Sequence, residues 1–288
     1  MEYYSPTDLN EAYALLDKYG EDAIPIAGST FYMGHREELF DEVEAVINIK
    51  QLGLSYIRQD GDGLHIGATT TLNEIFAHGL TRKGPFGILA TTVQELNINE
   101  VRNMATIGGE VCIAGEVDMP TTLLAYDADI VIGGSKGVRR MSMADFHIGY
   151  LNNALEPGEM VLEVQLPQPP ANTGGGFAKF ERTAADLPIV NVATRISLDD
   201  AGVCTDARVV AGAATLSGIP ERSGAAEAAL LNQVIDAALI EAAAAASADV
   251  ACINDFRVSA EIRSLWVKCG IEDALKRAFA AARQGEQS

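Results

Sequence analysis

The sequence predicts an α+β protein in two main parts, and three observations carry that expectation. Short apolar strands mix with helices of amphipathic spacing through the first half. Pro167-Gln168-Pro169-Pro170, followed by Gly174-Gly175-Gly176, is the sharpest compositional break. Beyond it, strands come first and helices last. With 288 residues, 48% of them hydrophobic, the chain can bury a sizeable core and is long enough for two or three subdomains.

Asp8 to Lys18 places Leu9, Ala12, Leu15 and Leu16 on one helical face, with Asp8 or Thr7 as N-cap and Gly20 as the stop. Ala23 to Ala27 reads as a short buried strand and Val43 to Ile49 as a second. Ser55–Arg58 and Leu64–Gly67 read as paired strands around Gly61-Asp62-Gly63. Thr71 to Ala77 starts a helix in which Thr71 and Glu74 have the spacing of a capping box. Ile88 to Glu95 is another helix, leading into the pair Gly108-Gly109. A short helix after Asp118 carries Leu123 and Leu124. Asp129–Ile132 and Val138–Met141 are strands joined by a hairpin at Gly133 to Gly137, which lacks the spacing of a phosphate loop. Past the break, Phe177–Arg182, Val190–Ile196 and Ala207–Ala213 read as strands. Gly224 to Ala248 is alanine-rich and helical, and Ser259 to Ala282 is amphipathic.

A net charge of −19 argues against nucleic acid or an anionic membrane as partner, since both need basic surface. No apolar run approaches the ~20 residues of a membrane span. Met1-Glu2-Tyr3-Tyr4-Ser5-Pro6 has neither the basic start nor the apolar core of a signal peptide, so a cytoplasmic location is expected. Cys112, Cys204, Cys252 and Cys269 are scattered without a C-x-x-C, as are the four histidines. No zinc or iron–sulfur ligand set is expected here, and the thiols read as buried and free. No G-x-G-x-x-G follows a predicted strand, and there is no G-x-S-x-G elbow.

Two stretches point to a ligand. In Val101 to Val111 a glycine pair interrupts β-branched and apolar residues, a pattern that often marks close approach of a ligand or another backbone. Far upstream, Ile26-Ala27-Gly28-Ser29-Thr30 also follows an apolar segment directly. Two turns that bare the main chain, each with a threonine hydroxyl, suit a ligand rich in phosphate oxygens. No proton-transfer apparatus accompanies them. The combination points to a cofactor that carries its own chemistry, with the protein supplying position and electrostatics.

With these motifs in order, the chain resembles the FAD-binding medium subunit of the molybdenum hydroxylases, the family of carbon monoxide, xanthine and nicotinate dehydrogenases. The resemblance runs from Tyr4-Ser5-Pro6 through Ala27-Gly28-Ser29-Thr30, Ile66-Gly67-Ala68 and Thr106-Ile107-Gly108-Gly109 to Asp118…Pro120. It continues through Asp145-Phe146 and Pro157-Gly158-Glu159 to Asp255-Phe256-Arg257 and Ser259 to Arg263. It implies an α+β, two-subdomain FAD-binding fold of the vanillyl-alcohol oxidase type, residues 1–170 divided near 54, and a small C-terminal domain, residues 175–284, with a three-stranded antiparallel sheet. It also implies electron transfer from [2Fe–2S] clusters on a small partner subunit to FAD on this chain and on to NAD or another acceptor. The molybdenum cofactor would sit on a large partner subunit.

By the same resemblance, Ala27 to Thr30 and Thr106 to Gly109 hold the FAD diphosphate through main-chain N–H groups and threonine hydroxyls. Asp118 accepts from ribityl or ribose hydroxyls, Lys179 sits near the N1–C2=O edge of the isoalloxazine, Val161 offers a backbone contact and Leu187 lies near the ring. Ile26, Phe31, Leu96 and Glu110 complete the implied contacts. Read alone, Asp118 also suits a helix cap and Lys179 an exposed strand position. The family pattern usually reads A-G-G-T-D and T-I-G-G-N. Here Ser29 stands at a glycine, Phe31 at an acid and Glu110 at the asparagine. The loop from Gly109 to Asp118 is also one residue shorter than common. A carboxylate beside a diphosphate costs Coulomb energy unless it points away or is neutralised. These departures open the alternative of a non-catalytic assembly subunit with weakened or lost FAD binding.

Overall fold

The computed structural model describes residues 1–284. β1 (Glu2–Tyr4), β2 (Ala23–Ile26) and β3 (Ala45–Asn48) form a parallel sheet in the order β1-β3-β2, crossed by α1 (Leu9–Tyr19) and α2 (Thr30–Leu39). Asp8 caps α1 by accepting the Glu11 N–H at 3.0 Å, and Gly20 ends it at φ 55°. Ala12 and Leu16 bury that helix against Ile47.

A second sheet has the order β4-β5-β10-β6-β7. Its strands are β4 (Ile57–Gln59), β5 (Gly63–Gly67), β6 (Asp129–Gly134), β7 (Gly137–Ser142) and β10 (Met160–Pro167). β10, which the sequence reading missed, is its central strand. The helices α3 (Leu72–Ala77), α4 (Gly79–Arg82), α5 (Ile88–Gln94), α6 (Asn99–Met104), α7 (Ile107–Cys112), α8 (Met119–Ala125) and α9 (Met143–Phe146) accompany it. A small hairpin, β8 (His147–Gly149) with β9 (Asn152–Asn153), follows α9. The expected capping box is present on α3, where the Thr71 N–H donates to Glu74 at 2.7 Å and the Glu74 N–H donates to Thr71 at 3.2 Å. Leu64, Ile66, Ile130 and Val164 share one core with Leu89, Leu123 and Tyr126.

The last sheet has the order β11-β12-β13-β14, antiparallel throughout: β11 (Thr173–Phe180), β12 (Val190–Leu198), β13 (Cys204–Gly212) and β14 (Glu221–Arg222). It packs on α10 (Gly224–Leu230), α11 (Ala237–Ala246) and α12 (Ala260–Gln284).

Five expectations are corrected. The three-stranded C-terminal sheet gains the short fourth strand β14. The helix expected over 224–248 is two helices, because Leu231 turns extended at φ −63° and ψ 136° and ends the first. α6 stands between α5 and the glycine pair. Gly174-Gly175-Gly176 is not a loop but the first half of β11: a Cβ on Gly174 or Gly176 would overlap the Ala278 or Ala274 carbonyl of α12. The glycines let helix and strand close on each other. Of the four free cysteines only Cys204 is buried, and Cys269 is exposed.

Candidate functional site

Ser29 precedes α2 in the left-handed region at φ 60°, and its side chain makes no cap hydrogen bond. A left-handed residue followed by right-handed helix tilts successive N–H groups toward a common side, a concavity suited to an anion. Among the described residues no hydrogen-bond acceptor pairs with the N–H groups of Gly28, Ser29, Thr30 or Phe31. The ten-residue α2 places its positive end at the same place.

Gly28 brings this loop against the second. A Cβ there would overlap the Met104 carbonyl oxygen, so glycine is required for the connection between α6 and α7 to pass. Gly108-Gly109 is no open turn. It forms the first turn of α7, capped by Thr106, whose Oγ1 accepts the Gly109 N–H at 3.3 Å. The Ile107 and Gly108 N–H groups are already donated to the Thr70 and Ala68 carbonyls at 3.0 and 2.9 Å. The unpaired amides therefore lie in the first loop, whereas the second contributes a bare wall. Gly109 is exposed, and a Cβ there would meet only Thr106 Oγ1 at 3.3 Å.

Two adjoining cavities, about 460 and 430 Å³, run along these loops and share Thr30, Phe31, Glu110, Ile113 and Leu151. Each lies in the range of small-molecule sites, ~300–1,000 Å³. The first takes Ile26, Ala27, Gly28, Ser29, Thr106, Gly108, Gly109 and Val161. The second takes Leu96, Asp118, Lys179 and Leu187. Of the residues singled out from sequence, only Ile107 lines neither; it is fully buried in the core below. Val161 reaches the groove because pairing of β10 with β5 stops at Glu163 and a bulge separates Val161 from Glu163 against β6.

At the far end, Lys179 Nζ lies 3.1 Å from Asp118 Oδ2 and 2.8 Å from Glu181 Oε2, and it donates to the Glu95 carbonyl at 3.3 Å. Its side chain is 1% exposed, so the surface-lysine reading fails. Burial alone would lower its pKa; the Asp118 and Glu181 carboxylates outweigh that and raise it. Asp118 stands at the head of α8 but does not cap it. Its Oδ1 accepts from Asn191 Nδ2 at 2.8 Å. Glu110, partly buried on the wall both cavities share, has its pKa raised to about 7, first by burial and then by Asp118.

Sequence reading missed the β8–β9 hairpin wall, which contributes Leu151 and Asn153. Asn153 Nδ2 donates to the Cys112 carbonyl at 2.9 Å, closing the hairpin over the end of α7. The only local signal was the polar pair Asn152-Asn153. Tyr150 and Glu116 at the second cavity carried none.

A groove with unpaired oriented amides, a bare glycine wall and a buried carboxylate–ammonium pair is built to hold a long, phosphate-bearing ligand. The comparisons agree. Residues 1–169 match the family of the FAD binding domain in molybdopterin dehydrogenase, and residues 176–278 match the CO dehydrogenase flavoprotein C-terminal domain. The chain is 33% identical over 222 residues, 73% of each protein, to the nicotinate dehydrogenase FAD-subunit of Eubacterium barkeri. It is 29% identical over 286 residues, 98% of each, to the carbon monoxide dehydrogenase medium chain of Afipia carboxidovorans. Among solved structures, carbon monoxide dehydrogenase from Hydrogenophaga pseudoflava superposes with a TM-score of 0.91 at 28% identity, covering 98% of both chains. The chain belongs to the FAD-binding medium subunits of the molybdenum hydroxylase family. It is thus a subunit of an oxidoreductase complex, with an α+β FAD-binding domain followed by the flavoprotein C-terminal domain. Among the described residues no helix is long and apolar enough to cross a membrane, and no His, Cys, Asp and Glu group has the geometry of a metal site.

Proposed function

We propose that this chain is the FAD-carrying electron-transfer subunit of a heteromeric molybdenum hydroxylase. In this reading a large partner subunit bears the molybdenum cofactor, a small one bears [2Fe–2S] clusters, and NAD or another acceptor receives the electrons. The single observation that carries it is the set of unpaired amides at Gly28 to Phe31 facing the Gly109 wall, which fits a diphosphate held without a side-chain cation. FAD, when bound, supplies the redox chemistry.

This chain's own residues do the rest. The Gly28 to Phe31 amides and the Thr30 and Thr106 hydroxyls bind phosphate oxygens. Asp118, fixed by Asn191 and Lys179, keeps lone pairs for hydroxyl donors. Lys179 holds positive charge inside the second cavity, where Leu96 and Leu187 supply apolar wall. Names of relatives support the assembly: carbon monoxide dehydrogenase medium chain, xanthine dehydrogenase FAD-binding subunit and caffeine dehydrogenase subunit beta are each parts of larger enzymes. A cytoplasmic complex is the corresponding proposal for location.

Purification of the native complex, with FAD, molybdenum and iron measured per chain, tests this reading. About one FAD per chain, with both metals in the complex, is expected. A complex that carries molybdenum and iron but no flavin would favour the second reading, an assembly subunit with lost FAD binding. Glu110 is the observation behind that alternative, and Glu110→Asn would then create flavin uptake.

A further inference from the structure

We propose that Glu110 enters the flavin site as the neutral carboxylic acid, so that capture of FAD takes up one proton from solvent at this side chain. The inference rests on the flavin reading above and adds to it a residue that makes cofactor capture depend on pH.

Position carries the argument. Glu110 lines both cavities where they adjoin, one residue past the bare Gly109 wall. Its ionisable neighbours are mostly acids. At the head of α8 stands Asp118. On β11 stands Lys179, whose ammonium already lies between Asp118 and Glu181. Around the second cavity Glu38, Glu116 and Asp186 add negative charge, and His35 stacks on Phe31 with ring centroids 4.2 Å apart. The guanidinium of Arg257, which lines neither cavity, is held by Glu116 and Asp255 at 2.6 and 2.9 Å.

α7 also packs on β5 and β10. There His65 and Glu163 bond each other at 3.0 Å and line neither cavity. His147 bonds the Val111 carbonyl, and burial lowers its pKa, leaving it neutral. Among the described residues no salt bridge reaches Glu110. An ionised carboxylate here faces Asp118 first and then the diphosphate of the cofactor. Both oppose it through a wall of low polarity.

The apo site already leans the same way. Burial, then Asp118, raise the Glu110 pKa to about 7, against the Met119 N–H and Lys179, which lower it. A dianionic diphosphate in the same groove moves it further up. The bound state therefore holds more protons than the free state, and affinity must fall as pH rises.

The full chain, freed of flavin, is titrated with FAD between pH 6 and 8.5 by flavin fluorescence and by calorimetry in two buffers of different ionisation enthalpy. For the native chain we expect Kd to be nearly constant below about pH 6 and to weaken by up to tenfold per pH unit above about 7.5, with proton uptake per FAD rising from near zero at the low end to about one at the high end. Glu110→Gln, close in shape and permanently neutral, should bind with a flat pH profile and take up no proton. A flat profile in the native chain, or an equal slope in Glu110→Gln, overturns the proposal. If Glu110→Gln folds poorly, Glu110→Asn, also permanently neutral, takes its place, and an equal proton uptake by either folded variant overturns the assignment to Glu110. No FAD uptake at any pH by the native chain, Glu110→Gln or Glu110→Asn would remove the flavin reading itself, and this inference with it.

Discussion

Lys179 on β11 and Asp118 at the head of α8 form a buried ion pair at 3.1 Å that joins the C-terminal sheet to the N-terminal part of the chain. Around it, Asn191 bonds both Asp118 and the Val117 carbonyl, and Arg257 bonds Glu116 at 2.6 Å. The second cavity is thus a seam between the two parts, and its charged residues hold the seam.

Removing one partner of that pair should be costly, because it strands a buried charge. Lys179→Met leaves Asp118 and Glu181 facing each other, and a loss of about 3 kcal/mol in unfolding free energy is expected. Asp118→Asn combined with Lys179→Met should cost clearly less than the sum of the single changes. Urea unfolding of the four proteins checks this, and additive losses would show that the pair is not coupled.

Gly28 tests the contact between the two loops. Gly28→Ala places a methyl group against the Met104 carbonyl, so the loops must part or the chain must strain, at about 1–3 kcal/mol. Flavin content should collapse while circular dichroism stays native-like. Gly109→Ala, by contrast, meets only Thr106 Oγ1 at 3.3 Å. It should keep its stability and lose flavin, because its methyl group enters the groove. Full flavin retention by Gly109→Ala would place the ligand elsewhere.

Ser29 is strained where it stands, at φ 60°. Ser29→Gly should stabilise the folded chain by up to about 1 kcal/mol, the backbone relief being partly offset by the added freedom of the unfolded chain. A lowered melting temperature would mean that the hydroxyl makes a bond outweighing the strain.

Stability of the flavin-free chain should carry the sign of Glu110. Its folded pKa of about 7 lies above its ordinary value of 4.5, so the folded state binds more protons between those two points. Stability from this side chain therefore falls as pH rises through that window. Glu110→Gln escapes the loss, and its advantage over the native chain should grow by about 1–2 kcal/mol between pH 5 and 8 once solvent access is allowed for. An advantage independent of pH would contradict this.

Much of the site was legible because its signals are local. Gly28-Ser29 and Thr106 to Gly109 are backbone devices, and a capped helix such as α1 or α3 announces itself through residues three or four apart. What stayed hidden depends on partners distant in sequence. β10 is central but starts beside a bulge, and its apolar run gives no hint that it pairs with β5 and β6. The triple glycine looked like a break because the α12 backbone that demands Gly174 and Gly176 lies about a hundred residues away. The amides of Ile107 and Gly108 looked free until the turn after β5 was seen to accept them, through the Thr70 and Ala68 carbonyls. Lys179 read equally well as surface, since nothing near it in the chain reveals Asp118.

The packing of α12 on β11 also sets an order of events during synthesis. β11 carries Lys179, yet the backbone against Gly174 and Gly176 belongs to α12, from Ala274 to Ala282, near the end of the described chain. A nascent chain still tethered to the ribosome at residue 200 has both glycine-bearing loops and the acids that hold Lys179, but not the helix that covers β11. If the flavin reading holds, a chain clipped before α12 is expected to leave one face of β11 open and to hold FAD less well than the full chain, which flavin absorbance of the two purified proteins checks.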